Sequence, residues 1–245
     1  MSIVQMQKIL SRMRRAIEDY NMIEDGDKIA LGLSGGKDSM TLLMGLKMLQ
    51  SFFNKKFDLV AISVNPGFEE FDISILQKFC DDIDVEYINE QTNIKEIVFD
   101  IRKERNPCSL CANLRRGILN SSATREGCNK LALGHNEDDV LETFFLNLFF
   151  AGSIGTFAPT GFMDKAGITL IRPLIYTPEK GIKTFVEKND IPVMAKCCPM
   201  DGYSKREDMK NLLLKFEKDF PNIRTNLYGA IKKSELKGWQ KPFLQ

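Results

Sequence analysis

Leu33-Ser34-Gly35-Gly36-Lys37-Asp38-Ser39 carries the residue types needed to grip a polyphosphate. Two adjacent glycines let the backbone turn tightly and bring its N–H groups close to an anion. A short apolar segment, Lys28 to Leu33, runs into this loop, and a helical pattern, Asp38 to Leu49, leaves it. The start of that helix adds N–H donors and a partial positive charge. Ser34 and Ser39 offer hydroxyls, and Lys37 offers a full charge for a pyrophosphate. The loop is not a Walker A motif. That pattern places glycine five residues before its Gly-Lys pair and Ser or Thr after the lysine; Leu31 and Asp38 stand there instead. It is not G-x-G-x-x-G either.

A second chemical segment is Gly134-His135-Asn136-Glu137-Asp138-Asp139, between a predicted strand and a helix. His135 is the chain's single histidine. Its placement before an acidic triplet favours a functional role. Asp138 and Asp139 would also favour the helix dipole. The third feature is cysteine spacing. Cys108-Ser-Leu-Cys111 is a C-x-x-C at the start of a helical pattern, and Cys197-Cys198 follows a later predicted strand. Cys80 and Cys128 read as packing or surface positions. Spacing alone leaves four readings open for the set: an iron–sulfur cluster on three thiolates with one iron free, persulfide or disulfide catalysis, zinc, and plain free thiols.

Elements at the right intervals must hold these segments. Residues 4–20 have Ile9, Met13 and Ile17 on one helical face with basic residues between. Strands are expected at Lys28–Leu33, Asp58–Val64, Val85–Asn89, Lys130–Leu133, Ile168–Leu174 and Ile191–Met194. Helices are expected at Asp38–Leu49, Phe71–Asp81, Ile94–Lys103, residues 111–126, Asp138–Phe150, Pro178–Lys188 and, rich in lysine, Ser204–Ser234. Asp138–Phe150 is apolar on most sides and is expected to be deeply buried. Ala151–Gly167 reads as a glycine-rich loop. Strands alternating with such helices imply parallel βαβ units, whose ligands lie beyond the carboxyl ends of the strands. The fold class is therefore α/β, a parallel sheet with helices on both faces. One domain is expected over 1–245: an N-terminal helix (1–24), a nucleotide-binding core (25–200) and a helical C-terminal segment (201–245).

The 245 residues suffice for one full core. No apolar run reaches the roughly 18 residues of a membrane span, and the N-terminus has no signal-peptide core. The expectation is a cytoplasmic protein without a membrane partner. The net charge of +1 is low for a general nucleic-acid coater, yet basic residues cluster around the cysteines. Arg102, Lys103, Arg105, Arg115 and Arg116 flank the first pair; Lys205, Arg206, Lys210 and Lys215 follow the second. Together they could steer an RNA backbone.

Ser-Gly-Gly-x-Asp-Ser after the first strand is similar to the signature of the PP-loop ATP pyrophosphatases. Cys108-Ser-Leu-Cys111-x-x-Leu-Arg115-Arg116-Gly117-Ile118-Leu119, Gly134-His135-x-x-Asp138-Asp139 and Ile171-Arg172-Pro173-Leu174 resemble the tRNA 2-thiocytidine synthetase (TtcA-like) group. The N-terminal Asn21-Met22-Ile23-Glu24-x-Gly26-Asp27 matches as well, and the likeness runs from about residue 8 to residue 236.

The resemblance implies a PP-loop (adenine nucleotide alpha hydrolase-like) domain that adenylates a pyrimidine carbonyl of tRNA, such as C2 of a cytidine, and replaces the oxygen by sulfur. It implies ATP binding by Leu33, Ser34, Gly35, Gly36, Lys37, Asp38, Ser39, Val64, Gly134 and His135, with Mg²⁺ beside Asp38. It implies catalytic roles for Asp38, Asp138, Arg115, Cys108, Cys111 and Cys198. Arg115 falls where related 2-thiouridine enzymes carry a catalytic lysine. A 4Fe–4S cluster on Cys108, Cys111 and a third cysteine is implied, together with a sulfide or persulfide donor and a homodimer. The family's late segment resembles Pro-Cys-x-x-Cys-Gly, whereas this chain has Ala195-Lys196-Cys197-Cys198-Pro199 and is about one residue shorter. Alignment from Lys205-Arg206 favours Cys198 as third ligand, with Cys197 in reserve. This departure leaves substrate identity more open than reaction type. A lysidine-type tRNA modification, a small-molecule sulfur transfer and a nucleotide-binding sulfur carrier stay as alternatives.

Overall fold

The computed structural model describes residues 3–103, 107–195, 198 and 205–241. Its sheet contains β1 (Asp27–Gly32), β2 (Phe57–Asn65), β3 (Glu86–Gln91), β4 (Lys130–Ala132), β5 (Thr160–Met163) and β6 (Ile168–Ile171). The order is β3-β2-β1-β4-β6-β5. All neighbours are parallel except β5, which lies antiparallel to β6 at one edge. The helices are α1 (Ile3–Asp19), α2 (Lys37–Gln50), α3 (Ile73–Asp82), α4 (Pro107–Arg125), α5 (Glu137–Leu146), α6 (Glu179–Lys188), α7 (Lys205–Asp219) and α8 (Ile223–Lys233).

The strands alternate their side chains between two faces, as period-two geometry requires. Ile29, Leu31, Leu59, Ala61 and Ala132 enter a large core shared with α1, α2, α3, α5 and α6. Ala30, Val60, Ile62 and Leu131 face the other way, against Ala123, Cys128 and the α4 residue Leu119. A third apolar cluster, Val64, Ile94 and Val98, packs on Leu110, Cys111 and Leu114 of α4. The chain steps outward from β1 to β3, then returns to the opposite side of β1 at β4. That reversal opens a crevice at the carboxyl ends of β1 and β4, where doubly wound sheets bind their ligands.

Several local expectations are corrected. Residues 151–167 are not all loop, because 160–163 form β5. The strand from Ile168 stops at Ile171, since Pro173 lacks an N–H for the ladder and opens a 3₁₀ turn, Pro173–Tyr176. Residues 191–194 form no strand; Met194 gives its N–H to Gly35 instead. The helix expected at 94–103 is a π-helical turn, Glu96–Ile101. The lysine-rich tail is two helices, parted at Pro221 and at Asn222, whose φ is +69°. The segment 138–150 is buried only along α5: it ends in a π-helical turn, Asn147–Ala151, where Phe149 and Phe150 are more than half exposed.

Candidate active site

The loop after β1 is shaped by its own hydroxyls and by the segment that packs on it. Ser39 Oγ accepts from Ser34 N at 3.2 Å and donates to the Gly36 carbonyl at 3.0 Å, and the Ser34 and Ser39 hydroxyls are 3.1 Å apart. Gly35 has φ +76°, and a Cβ there would meet Met194 Sδ at 2.3 Å. Met194 N donates to the Gly35 carbonyl at 2.9 Å. Gly36 caps α2 without a side-chain bond, so the first amides of α2 keep their donors for an anion. Lys37 lies between two carboxylates, Asp38 at 2.8 Å and Glu179 at 3.0 Å. Burial opposes its charge, but those two carboxylates outweigh it and raise its pKa. Glu179 also pairs with Lys210 at 3.0 Å. Burial works against the Glu179 charge, yet Lys210 and Lys37 pull its pKa down to about 2.

The loop after β4 approaches the first loop at backbone distance. A Cβ on Gly134 would lie 3.0 Å from the Asp38 carbonyl carbon and 3.1 Å from Ser39 N. Asn136 then ties the loops together. Its Oδ1 accepts from the amides of Asp138 and Asp139, and its Nδ2 donates to Asp38 Oδ1 at 3.0 Å. Asp139 completes a capping box by accepting from Asn136 N at 2.9 Å. Burial raises the Asp139 pKa against the pull of Arg206, and Asp38 adds to the rise. Behind it, burial and Asp139 push the enclosed Glu142 up to about 7. Arg206 reaches both carboxylates at 3.4 Å and donates to Thr143 Oγ1 at 2.9 Å.

Between these loops and α4 lies a cavity of about 720 Å³. Its apolar lining includes Ile62, Leu119, Leu131, Met163 and Leu170. Its charged and polar lining includes Arg115, Arg116, Asp38, Asp139, His135 and Arg172. His135 Nδ1 accepts from Arg172 Nε at 3.2 Å. Burial, with Arg172, Arg206 and Arg116 nearby, holds the imidazole down to a pKa of about 3. An anion-binding helix start, a cluster of guanidiniums and an apolar lining together suit a nucleotide.

Residues 5–212 match the model of a PP-loop domain family. The chain is 40% identical over 227 residues to a tRNA-cytidine(32) 2-sulfurtransferase of Geotalea uraniireducens, covering 91% of this chain and 90% of that protein. It is 39% identical to the protein of that name from Pectobacterium carotovorum, over 93% of this chain and 75% of the relative. The chain belongs to the PP-loop tRNA-cytidine(32) 2-sulfurtransferase family. The U34-tRNA thiolase NcsA from Methanococcus maripaludis, solved with its [4Fe-4S] cluster, superposes with a TM-score of 0.75 at 25% identity, over 92% of this chain and 77% of that one.

The cysteine region adjoins the cavity, since Ala112 and Arg115 of α4 line it. Cys108 and Cys111 are one turn apart on α4, and Arg115 follows a turn later. Cys108 is exposed and Cys111 half-buried. Burial raises the Cys111 pKa; Arg115 offsets this in part, while Cys198 and Cys108 add to it. The three thiols thus share one electrostatic neighbourhood. Cys198 stands four residues after Met194, whose amide bonds the Gly35 carbonyl. Cys197 and Arg105 lie outside the described residues. Among the described residues, no three His, Cys, Asp or Glu side chains are spaced as ligands of a single metal ion.

Of the predicted site residues, Leu33, Ser34, Asp38, Ser39, Val64, Arg115, Gly134 and His135 line the cavity. Gly35, Gly36 and Lys37 form the loop beside it. Asp138 is not brought to the cavity wall. It accepts from Glu179 N at 2.6 Å and pairs with Arg224 at 2.6 Å, joining α5 to α6 and α8. Asp139 takes the wall position instead. Arg206 and Lys210, expected to face RNA, are engaged with carboxylates. The sequence reading missed Asn136, although its Asn-x-x-Asp spacing is that of a capping box. Phe157 and the role of Arg172 had no sequence signal beyond the Arg-Pro-Leu string.

Proposed function

We propose that this chain uses ATP to activate C2 of cytidine 32 in tRNA and replaces the C2 oxygen with sulfur. The observation that carries the reading is the cavity itself: the Ser34–Ser39 loop, the Gly134–Asp139 loop and the α4 residues Ala112, Arg115 and Arg116 line it, Ala112 standing one residue beyond Cys111 on the same helix. The amides at the start of α2 and Lys37 bind the ATP phosphates, and the apolar lining takes the adenine ring. The cytosine O2 attacks the α-phosphorus and pyrophosphate leaves. A sulfur nucleophile then adds at C2, and the C2–O bond breaks to release AMP. Adenylation is needed because a carbonyl oxygen is a poor leaving group. Arg115 and Arg116 stabilise the negative charge that gathers on the phosphate and the tetrahedral carbon. The target base must leave its stack to reach the cavity, which suits a single-stranded loop.

Two groups fit the residues present. Asp38 and Asp139 both line the cavity; burial raises the Asp139 pKa and Asp38 adds to the rise, and two such carboxylates suit Mg²⁺. Mg²⁺ would neutralise phosphate charge. Cys108, Cys111 and Cys198 are soft donors whose charges already act on one another. Thiolates are the ligands that hold 4Fe–4S clusters, and these three cysteines would hold one here. When bound, the cluster would supply an iron with a free position for sulfur. Sulfide or a persulfide-carrying protein is the sulfur donor, and a homodimer is the assembly.

The test is mass spectrometry of tRNA nucleosides from a strain lacking the gene, with and without the gene restored. Loss of 2-thiocytidine that the wild-type gene repairs and a Cys111→Ser gene does not is the expected result. Unchanged 2-thiocytidine in the deletion strain would overturn the substrate assignment.

A further inference from the structure

We propose that Arg172 is a positioning residue that fixes His135 in the neutral tautomer with its proton on Nε2, giving the cavity a permanent hydrogen-bond donor for an acceptor atom of the bound nucleotide. A guanidinium has donors and no acceptor. The Arg172 Nε–H, 3.2 Å from His135 Nδ1, therefore requires Nδ1 to be unprotonated. The bond made by one ring nitrogen decides the state of the other, so a neutral ring carries its proton on Nε2.

Arg172 is itself held firmly. It is buried, its Nη1 donates to the Ala158 carbonyl at 2.6 Å, and its guanidinium lies 4.8 Å from the centroid of the Phe157 ring. The same ring is 4.9 Å from the imidazole. Arginine, phenylalanine and histidine thus contact one another in a group, the two rings tilted by 43°, and all three line the cavity. Protonating His135 would turn N–H against N–H and add a cation beside Arg172, Arg206 and Arg116. Asp38 and Asp139 also face the cavity from the α2 and α5 sides. Arg206 pairs with Asp139, and Lys37 and Asn136 bond Asp38, so neither carboxylate is placed to hold an imidazolium. A histidine fixed in this way does not switch charge near neutral pH. It serves as an oriented donor rather than as a proton shuttle.

The nucleotide half of the inference rests on the ATP reading of the cavity; the tautomer half does not. His135 is the only histidine, so ring ¹⁵N and ¹H signals of histidine-labelled, untagged protein report it without assignment. The expected wild-type result is one neutral Nε2–H form from pH 8 down to pH 5. Arg172→Met should give mixed tautomers, an upward-shifted titration and about tenfold weaker ATP·Mg²⁺ binding by calorimetry, the worth of one hydrogen bond. Arg172→Lys, which restores a donor, should recover the Nε2–H form. A wild-type ring protonated on Nδ1, or titrating near its ordinary value, overturns the proposal even if every variant fails to fold. So does an Arg172→Met spectrum identical to wild type. Unchanged ATP affinity after the tautomer is lost overturns the donor role and leaves the loop as the ATP site. Absence of ATP binding by wild type overturns the ATP reading, while the tautomer result stands.

Discussion

Asn136 belongs to the Gly134–Asp139 loop and is where that loop can be uncoupled from the Ser34–Ser39 loop without altering the latter. Its side chain is buried, caps α5 through two accepted amide bonds and donates one bond to the Asp38 carboxylate. Asn136→Ala removes both functions. Loss of the cap costs about 1 kcal/mol, and loss of a bond to a charged group costs about 1.5–3 kcal/mol. The expected destabilisation is therefore about 2.5–4 kcal/mol. Asn136→Asp separates the functions, because aspartate caps as well as asparagine but sets a second carboxylate against Asp38. Like charges push the new carboxyl's folded pKa up. A group whose folded pKa is raised in this way is fully destabilising above that pKa and harmless below its unfolded value. Asn136→Asp should therefore regain stability on acidification from pH 7 to pH 4, relative to wild type, while the deficit of Asn136→Ala stays nearly constant. Urea unfolding at several pH values measures both. Equal, pH-independent losses in the two variants would refute the link between Asn136 and Asp38.

Three further outcomes follow from the same geometry. Gly134→Ala should cost about 1–3 kcal/mol in thermal or urea unfolding and weaken ATP binding, because its Cβ meets backbone atoms of Asp38 and Ser39 that cannot rotate away; Gly161→Ala, with open space around it, should change stability by less than about 0.5 kcal/mol. Glu142, held up to about 7, binds a proton in the folded state that the unfolded chain has released, so stability should fall as pH rises from 4.5 to 7, and Glu142→Gln should flatten that limb by about 1 kcal/mol per pH unit at most. Cys108→Ser, Cys111→Ser and Cys198→Ser should each lower the iron content and the broad visible absorption of anaerobically purified protein, while Cys80→Ser, at a fully buried thiol whose pKa burial pushes up to about 12, should leave the iron unchanged; Cys197→Ser alone removing the iron would move the third ligand to that residue.

The parts of the fold legible in the sequence are those set by local pattern. Apolar runs entering the two glycine-containing loops marked β1 and β4, the 3.6-residue period marked α1, and helical patterns marked α2 and α6. The misread parts were decided by partners that no local pattern names. Ile191–Met194 has strand composition, but Pro192 removes a donor and Gly35 claims the Met194 amide. β5 is legible only as the partner of β6, since Thr160–Met163 gains its ladder from Ile168–Ile171. Phe149 and Phe150 look like core, yet the π-helical turn carries them past the end of the buried face of α5.

The acidic triplet shows how far motif spacing reaches into the site. Glu137, Asp138 and Asp139 sit in the first turn of a helix, about 100° apart around its axis, so they must point in different directions. The motif therefore offers carboxylates in three directions, and tertiary contacts fix which one faces the crevice. Arg224 and the amide of Glu179 hold Asp138 toward α8 and α6. Asn136 N holds Asp139 in the capping box, which aims it at the cavity and into the field of Asp38. The cap that starts the helix also selects the wall residue. That choice depends on Arg224, 86 residues away in sequence, and no pattern confined to residues 134–139 contains it.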